Sequence, residues 1–336
     1  MTNTSFSYKD AGVDVEAGDD ASQRASRLAR STYRPEVLEL GGVALFDARF
    51  ARYREPLLIG GSDGVGTKLK IAFATGRHNT VGIDLVAMSV NDLIRRGGEP
   101  LVFLPYFATS KLDPTIAEEV AEGIAEGCRQ ANCSIIGGET AEMPDFYQVG
   151  EYDLAGTALG VVEKSRVITG EKIEAGSIVL GLASSGLHSN GYSLARKVLL
   201  IRFALEAHLP ELGGRSLADA LLEPTRIYVK SILSALEAEA PLQGLAHITG
   251  GGLYRKLGKI IPPDLHVEYE PRAWERPPIF DLIQHSGQVS EEEMFNTFNL
   301  GIGFAVVVPA SEAEAVKQLF EERGEKVFII GSIQPN

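Results

Sequence analysis

The chain has 336 residues, of which 44% are hydrophobic, so its composition suits about two folded domains and excludes disordered and collagen-like classes. Its 32 basic and 45 acidic residues give a net charge of −13, which disfavours nucleic acid and anionic membranes as partners. The two cysteines give no disulfide framework, so we expect the protein to be located in the reducing cytoplasm. No apolar stretch reaches the length of a membrane helix and no signal peptide is recognisable, so we expect a soluble, unprocessed protein.

The first half of the chain mixes predicted helices and strands. Residues 21–40 predict one helix that breaks at Pro35, and the apolar residues 57–59 predict a short strand that ends in a glycine loop at residues 60–66. The further elements predicted here are a helix at 80–94, a strand at 101–107, a helix that starts at the Asp113 cap and Pro114, a strand at 134–136 followed by a loop at 137–140, and a strand at 152–162. This mixture is typical of an α+β domain, assigned to residues 57–168 after an N-terminal extension, residues 1–56.

The second half contains strand–loop–helix units, which favour an α/β domain over residues 169–336. The elements predicted here are a strand at 178–183, a helix from Tyr192, long helices around 216–239, a helix that opens at Leu253, and strands near 301–308 and 326–333. The two domains are joined by a polar segment with two glycines, residues 164–177.

Residues 61–68 have the glycine spacing of a P-loop but not its chemistry. The order Thr67-Lys68 displaces the lysine from its place in that motif, and the dinucleotide-binding fingerprint also fails because its third glycine is absent. Two interpretations stay open. Gly64 and Gly66 let backbone amides approach a phosphate, with Asp63 reaching it through Mg²⁺, or the segment is a tight turn that Asp63 caps.

Two carboxylates lie in a mostly apolar predicted helix. Asp84 and Asp92 are eight residues apart, about two helical turns, so both lie on one buried face. A carboxylate on a buried face needs a hydrogen-bond or ionic partner. Asp84 and Asp92 are therefore either core acids that pair with other protein groups or, together with Asp63, oxygen ligands of the kind that Mg²⁺ prefers. Glu139, after the strand at 134–136, either joins this cluster or caps a turn.

The surplus of glycines, 36 in all, includes two further loops in the second domain. Residues 184–191 join a strand to a helix and combine glycines with hydroxyl groups, which suits an anion, while Ser189 and Asn190 are also ordinary helix caps. His188 lies within this loop, and the triple glycine 250–252 forms a similar nest after a strand. Asn299 precedes an apolar strand as a substrate contact or a strand-end hydrogen-bonding residue.

Seven segments of the chain, taken in order, form a family pattern. They are Tyr8-Lys-Asp-Ala-Gly-Val-Asp14, Asp63-Gly-Val-Gly-Thr-Lys68, Gly82-Ile-Asp-Leu-Val-Ala-Met88, Gly137-Gly-Glu-Thr-Ala-Glu-Met-Pro144, His188-Ser-Asn-Gly191, His247-Ile-Thr-Gly-Gly-Gly252 and Thr297-Phe-Asn299. Together they cover nearly the whole chain, which closely resembles the phosphoribosylformylglycinamidine cyclo-ligase (AIR synthetase) family of purine biosynthesis.

The resemblance implies a homodimer. It implies a ferredoxin-like α+β first domain that binds ATP and pairs its sheet with that of the partner subunit, and an α/β second domain that binds the substrate. In the implied reaction, ATP phosphorylates the formyl oxygen of formylglycinamidine ribonucleotide (FGAM), and ring closure then gives 5-aminoimidazole ribonucleotide (AIR). The N-terminal extension is expected to pack on the ATP site, and nucleic-acid and membrane partners are not expected.

The resemblance also implies roles for individual residues. The expected Mg²⁺ ligands are Asp63, Asp92 and Glu139, and the expected catalytic residues are His188, Lys68 and Asp92. The expected ATP or phosphate contacts are Gly64, Gly66, Thr67, Gly137, Gly138 and Thr140, and the expected substrate contacts are Ser189, Asn190, Gly250, Gly251 and Asn299. Lys68 is expected to contact phosphate or to form a structural ion pair, and His188 to contact substrate or to accept a proton.

Some positions depart from the family pattern. Arg255 and Lys256 follow the triple glycine where the family often has Glu-Asn, Asn296 stands where arginine is common, and Ser26 takes the place of a frequent lysine. The alternatives are another ATP-using member of the superfamily, such as a selenophosphate synthetase or a kinase related to thiamine-phosphate kinase, and a non-catalytic nucleotide-binding regulator.

Overall fold

Each half of the chain folds around a five-stranded sheet. The computed structural model describes residues 6–336. The helices of the first half are α1 (Val15–Arg30), α2 (Leu69–Thr75), α3 (Val81–Ile94) and α4 (Pro114–Ala131). Its strands are β1 (Val37–Leu40), β2 (Val43–Phe46), β3 (Pro56–Gly64), β4 (Glu99–Thr109), β5 (Ser134–Ile135), β6 (Glu139–Glu142) and β7 (Tyr152–Glu163).

The sheet of the first half has the strand order β3-β7-β4-β5, and β6 also pairs with β4. The β3–β7 and β7–β4 pairs are antiparallel, whereas β5 and β6 run parallel to β4, to which the chain returns through α4. Strands β1 and β2 form a separate hairpin. Strand β3 is therefore an edge strand, with one side of its backbone unpaired within the chain.

The second half begins its sheet with β8 (Ile178–Ala183). Its remaining strands are β9 (Gly244–His247), β10 (Leu265–Tyr269), β11 (Ile302–Val308) and β12 (Val327–Pro335). Its helices are α5 (Tyr192–Leu199), α6 (Leu217–Leu222), α7 (Val229–Glu237), α8 (Gly252–Gly258), α9 (Pro278–Gly287), α10 (Glu291–Thr297) and α11 (Ala313–Glu321). The strand order is β10-β12-β8-β11-β9, and every pairing is antiparallel. Strands and helices alternate here as predicted, but the sheet is not the parallel one usual in α/β domains.

Most predicted elements are confirmed, including α3, the strand at β8 and the start of α5. Helix α4 begins as predicted, because Asp113 caps it by accepting hydrogen bonds from the backbone N–H groups of Thr115 and Ile116. Among residues 6–336, we find no helix with the length and apolar character needed to cross a membrane.

The helix predicted within residues 21–40 is confirmed only as far as Arg30. Helix α1 starts earlier, where the Asp14 carboxylate caps it, and ends at Arg30. Residues 37–46 instead form the β1–β2 hairpin around Gly41 and Gly42, whose φ angles of 60° and 82° are strained for other residues. Likewise, the region 216–239 holds two short helices, α6 and α7, separated by a segment that contains Pro224.

The glycine loop predicted at residues 60–66 is a strand up to Gly64. The backbone of β7 pairs with β3 from Pro56 to Gly64, so the ladder holds these glycines extended. A Cβ atom at Gly61 would lie 3.1 Å from Leu93 Cδ1 of α3, which indicates that the absent side chain allows close packing of the helix on the sheet. Residues 139–140, predicted as loop, similarly join β6.

Helices α3 and α4 cross at two glycines, and we expect replacement of Gly82 by alanine to destabilise the protein by about 3 kcal/mol. A methyl group at Gly82 would collide with backbone atoms of Val120 and Ile124, which cannot move independently of α4. Urea unfolding of the variant checks this. The matched control is Gly18→Ala in α1, where no atom lies within 4 Å and alanine should be neutral or stabilising. Equal stability of the two variants would contradict the prediction.

Candidate active site

Helix α3 carries its polar residues to the junction between the two halves of the chain. The side chain of Asn91 donates to the carbonyl of Arg226 (2.9 Å) and accepts from the backbone N–H of Tyr228 (3.0 Å). These bonds fasten the segment before α7 to the first half. The next residue, Asp92, is thereby held against the second sheet.

Asp92 forms a pair with His247, the last residue of β9. The Asp92 Oδ1–His247 Nδ1 distance is 3.0 Å, and the imidazole stacks on Phe304 at 6.2 Å between ring centroids. Burial raises the pKa of Asp92, but the hydrogen bond and charge of His247 and the charge of Arg95 outweigh it, so the pKa lies below its usual value. Within residues 6–336, His247 Nε2 is buried without a hydrogen-bond partner.

Asp63 is an electrostatic neighbour of Asp92. Its carboxylate stays exposed and, among residues 6–336, accepts a hydrogen bond only from the backbone N–H of Gly64, at 2.8 Å. Partial desolvation and, to a smaller extent, Asp92 raise the pKa of Asp63, while His247 and Lys256 act in the opposite direction. Two neighbouring carboxylates, one of them accessible, fit Mg²⁺, which is commonly bound by one or two carboxylates together with phosphates and water.

The structure does not bring Glu139 to this pair within one chain. The sheet aligns Gly64, Ala155, Tyr106 and Glu139 across four strands, so Glu139 lies roughly 14 Å from β3. Because side chains alternate along a strand, Asp63 and Glu139 also lie on opposite faces. No group of three or more His, Cys, Asp or Glu residues in the described chain is arranged to hold a metal ion. The expectation of one three-carboxylate cluster is therefore corrected for the single chain.

Lys68 lies in a buried ion pair, as its interpretation as a structural residue requires, and its catalytic assignment stays a prediction. Its side chain is fully buried and pairs with Asp84, with a Nζ–Oδ2 distance of 2.7 Å. The ammonium also donates to the carbonyl oxygens of Glu223 (2.7 Å) and His188 (3.2 Å), so its three donors are occupied. Asp84 in turn accepts from the backbone N–H and hydroxyl of Thr225, at 2.7 Å and 2.6 Å. This network joins the two halves of the chain.

His188 is buried in this structure rather than open to a substrate, and its assignment as a substrate contact or proton acceptor stays a prediction. Its Nε2 accepts the backbone N–H of Ser185 at 3.2 Å, and its Nδ1 is buried without a partner among the described residues. Burial lowers the pKa of His188 well below its usual value, and the charges of His247 and Lys68 act in the same direction. The imidazole is therefore neutral at physiological pH.

We expect this buried neutral imidazole to cost stability at acid pH. Below the ordinary pKa of histidine, the unfolded chain binds a proton that folded His188 does not bind, so stability falls as the pH falls. The loss attributable to His188 between pH 7.5 and 5.5 is about 1 kcal/mol. Urea unfolding at both pH values measures it. The comparison is His188→Asn, since asparagine tolerates the φ of 62° found here; an equal loss in both proteins would contradict the prediction.

The two glycine loops of the second half lie side by side. A Cβ atom at Gly250 would be 3.3 Å from Asn190 Oδ1, and Gly251 has a φ of 99° that favours glycine. Ser189 contacts Thr225 through hydroxyl groups 3.2 Å apart. Asn299, expected to bind substrate, is buried. Its Oδ1 accepts hydrogen bonds from the Ser184 hydroxyl and the backbone N–H of Gly301, and its Nδ2 donates to the carbonyl of Gly186. It supports the loop at 184–186, as its interpretation as a strand-end hydrogen-bonding residue requires, and its substrate contact stays a prediction.

The remaining expected phosphate contacts fall into two places. Thr67 lies at the junction, where its hydroxyl is 3.2 Å from that of Ser193, and Gly64 and Gly66 flank the turn that leads to it. Gly137, Gly138 and Thr140 lie across the first sheet, at the start of β6. The expected residues thus form no single surface within one chain.

Two cavities lie near these groups. One, of about 380 Å³, is lined by Asp92 and His247 together with basic residues from both halves. The other, of about 390 Å³, lies in the first half and is mostly apolar, with Phe107, Ile116 and Tyr152 in its wall. The first cavity adjoins the carboxylate and histidine pair, and the second suits a flat apolar group.

His247 pairs with Asp92 in the candidate site, but no role is assigned to it from the sequence. The motif His247-Ile-Thr-Gly-Gly-Gly252 was recognised, but only its glycines were assigned to substrate binding. A carboxylate on a buried helix face needs a partner, and a histidine at the end of a strand is one. This reasoning does not identify which of the six histidines is the partner of Asp92. Asp92 and His247 are 155 residues apart, and local sequence patterns do not show which distant residues meet.

Comparisons with known proteins place both halves of the chain in one family. The N-terminal domain of AIR synthase related protein matches residues 49–162, and the C-terminal domain matches residues 174–336. The phosphoribosylformylglycinamidine cyclo-ligase of Anaeromyxobacter dehalogenans is 52% identical over 98% of this chain and 96% of its own length. That of Neisseria meningitidis is 51% identical over 99% and 96%.

Solved structures share the fold at low identity. Thiamine-monophosphate kinase from Stenotrophomonas maltophilia has a TM-score of 0.69 and 17% identity, over 93% of each chain. Hydrogenase maturation protein HypE in complex with ATP has a TM-score of 0.67 and 17% identity, over 94% of this chain and 86% of its own. These likenesses establish the two-domain fold alone, whereas the sequence identities establish the family. The chain belongs to the phosphoribosylformylglycinamidine cyclo-ligases, a family of AIR synthase related proteins.

Proposed function

We propose that the chain is an enzyme of de novo purine biosynthesis that converts FGAM into AIR, using ATP and releasing ADP and phosphate. The observation that carries the proposal is the identity of 52% and 51% to relatives named cyclo-ligases, over nearly the full length of every chain. The junction between the domains, where Asp63, Asp92 and His247 meet, is the proposed reaction site.

The proposed reaction has two steps. The formyl oxygen of FGAM attacks the γ-phosphorus of ATP, which forms an oxygen–phosphorus bond and releases ADP. The amidine nitrogen then attacks the formyl carbon, a proton leaves the nitrogen, and the phosphorylated oxygen departs as inorganic phosphate. Both reacting groups belong to one molecule, so holding the chain of FGAM in a closed shape lowers the entropic part of the barrier.

Asp63 and Asp92 are the proposed Mg²⁺ ligands of this chain. When bound, Mg²⁺ supplies positive charge that stabilises the transferring phosphoryl group. Asp63 is accessible and its only hydrogen bond comes from Gly64, so it is free to take a ligand. Asp92 meanwhile pairs with His247 Nδ1 and so fixes the orientation of the buried imidazole.

The apolar cavity of the first domain is the proposed site for the adenine ring of ATP. Its wall includes Leu112, whose backbone N–H donates to Glu142 at 2.7 Å. The other oxygen of Glu142 accepts the backbone N–H of Asp14, also at 2.7 Å. Glu142 therefore links the N-terminal extension to the wall of this cavity, which supports the proposal that the extension packs on the ATP site. Gly137, Gly138 and Thr140 begin the strand that carries Glu142.

The test is turnover of purified protein with FGAM and ATP, following ADP and inorganic phosphate together. A cyclo-ligase releases both in equal amounts only when FGAM is present. A small-molecule kinase would form ADP without free phosphate, and a nucleotide-binding regulator would form neither. Absence of FGAM-dependent ADP release would refute the proposed function.

We also propose that the protein is a cytoplasmic homodimer whose ferredoxin-like first domains pair through their sheets. The side of the first sheet away from α3 is apolar and exposed: Leu58, at 75% exposure, adjoins Leu159, and the β1–β2 hairpin exposes further apolar residues. Large apolar patches of this kind mark protein interfaces. Cys128 and Cys133 are free and buried, which suits a reducing compartment.

We expect Leu58→Glu to shift the protein from dimer to monomer, because a carboxylate at the centre of an apolar interface is desolvated without a partner. Light scattering coupled to size-exclusion chromatography gives the mass of each species. The control is Ile201→Glu, which changes an exposed apolar residue of the second domain and should leave the mass unchanged. An unchanged mass of the Leu58 variant would contradict pairing through this sheet.

A further inference from the structure

The cavity between the domains concentrates positive charge in an acidic protein. Its charged lining comprises four basic residues and one acid: Arg95, Arg96, Lys256, Lys259 and Asp92. The chain as a whole carries a charge of −13, so this grouping runs against its composition. The first domain supplies both arginines directly after the end of α3, and α8 and the residue after it supply the lysines.

The positive charge of the cavity is incompletely neutralised. Asp92 is shared between His247 and Arg95, whose guanidinium is 3.5 Å away. Arg96 donates to backbone carbonyls, which carry no net charge. Across residues 6–336, Lys256 and Lys259 form no ion pair and no side-chain hydrogen bond. Burial lowers the pKa of Lys256, and the positive charges of Lys259 and Arg95 lower it further, while the carboxylates of Asp92 and Asp63 act in the opposite direction without outweighing burial.

Two buried donors or acceptors at the cavity are also unpaired in the described chain. They are Nε of Arg95 and Nε2 of His247, on residues that line the cavity from opposite domains. Buried polar atoms are normally satisfied by protein, water or a ligand. Guanidinium and ammonium groups that converge without a counter-charge match the oxygens of a phosphate.

We infer that this cavity binds a phosphate group through Lys256, Lys259 and Arg95. In the proposed function, phosphate is carried by the ribonucleotide, by the adenine nucleotide and by released inorganic phosphate, and assigning the group to one of these sources rests on that function. The inference that the cavity binds a phosphate group does not depend on the proposed function. Lys256 is also one of the positions at which this chain departs from the family pattern, which often has asparagine there.

The test measures binding of inorganic phosphate, ribose 5-phosphate and ATP to the full-length protein by isothermal titration calorimetry. We expect Lys256→Asn and Lys259→Ala each to weaken at least one of these ligands about tenfold, the usual effect of removing a charged hydrogen bond. Lys256→Arg should retain binding. The matched control is Lys197→Ala, an exposed lysine of α5, which should bind as the parent protein does.

The ligand that weakens identifies the source of the phosphate. Weaker binding of ribose 5-phosphate together with a raised KM for FGAM assigns the phosphate to the ribonucleotide. Weaker binding of ATP together with a raised KM for ATP assigns it to the nucleotide. Weaker binding of inorganic phosphate alone assigns it to the product. Unchanged binding in both lysine variants, or no saturable binding of any probe, overturns the inference. Absence of FGAM turnover in the parent protein refutes only the proposed function, because the binding measurement needs no catalysis.

Discussion

Replacing Lys68 with methionine will destabilise the protein by about 3–5 kcal/mol, the usual consequence of removing one partner from a buried ion pair. The remaining Asp84 carboxylate would keep only the two hydrogen bonds from Thr225 and would lie in a fully buried position without a counter-charge. The carbonyl groups of His188 and Glu223 would also lose their donor. Because these partners come from the second domain, the loss falls on the contact between domains.

Chemical unfolding followed by the fluorescence of Trp274, the single tryptophan, measures this effect. Lys70→Met is the matched control, since Lys70 forms an ion pair with Glu151 at 2.5 Å but is 40% exposed. That variant should lose less than about 1 kcal/mol. A Lys68 variant as stable as the parent, but unable to bind ATP, would restore the alternative in which Lys68 contacts phosphate.

Replacing Asp63 with asparagine will lower kcat/KM for ATP by roughly 100- to 1000-fold, the effect expected when one stabilising group of a phosphoryl-transfer site is lost. Asparagine keeps the size of the side chain and can still accept the N–H of Gly64, but it removes the negative charge that we assign to Mg²⁺. Folding should change by less than about 1 kcal/mol, because the side chain is exposed and makes no other hydrogen bond.

Asp153→Asn is the matched control for that change. Asp153 is exposed in the same sheet, on β7, and accepts the N–H of the following residue, Leu154, at 2.9 Å, as Asp63 does with Gly64. Its replacement should leave turnover unchanged. If Asp63→Asn lowered thermal stability as strongly as turnover, the carboxylate would be a structural cap, which is the other interpretation of this segment.

Local patterns predicted much of the secondary structure correctly. The start of α4 follows from Asp113 and Pro114, whose cap geometry depends only on neighbouring residues. The hairpin at residues 37–46 was missed although its signal is also local: Gly41-Gly42 separates two short apolar stretches. Residues 60–64 are different, because glycines in this composition indicate a loop and only the long partner strand β7 holds them extended.

The sequence by itself determined the family, because seven motifs occur in order along the chain. It also determined which residue types the site uses, namely carboxylates to bind a cation and glycines that let the backbone approach a phosphate closely. It did not determine which polar residues meet. Asp84 and Asp92 lie on the same helix, yet Asp84 forms a fully buried ion pair with Lys68, whereas Asp92 pairs with His247. Those partners are set by how α3 packs between two domains. Side-chain contacts across more than a hundred residues depend on that packing, which local spacing does not encode.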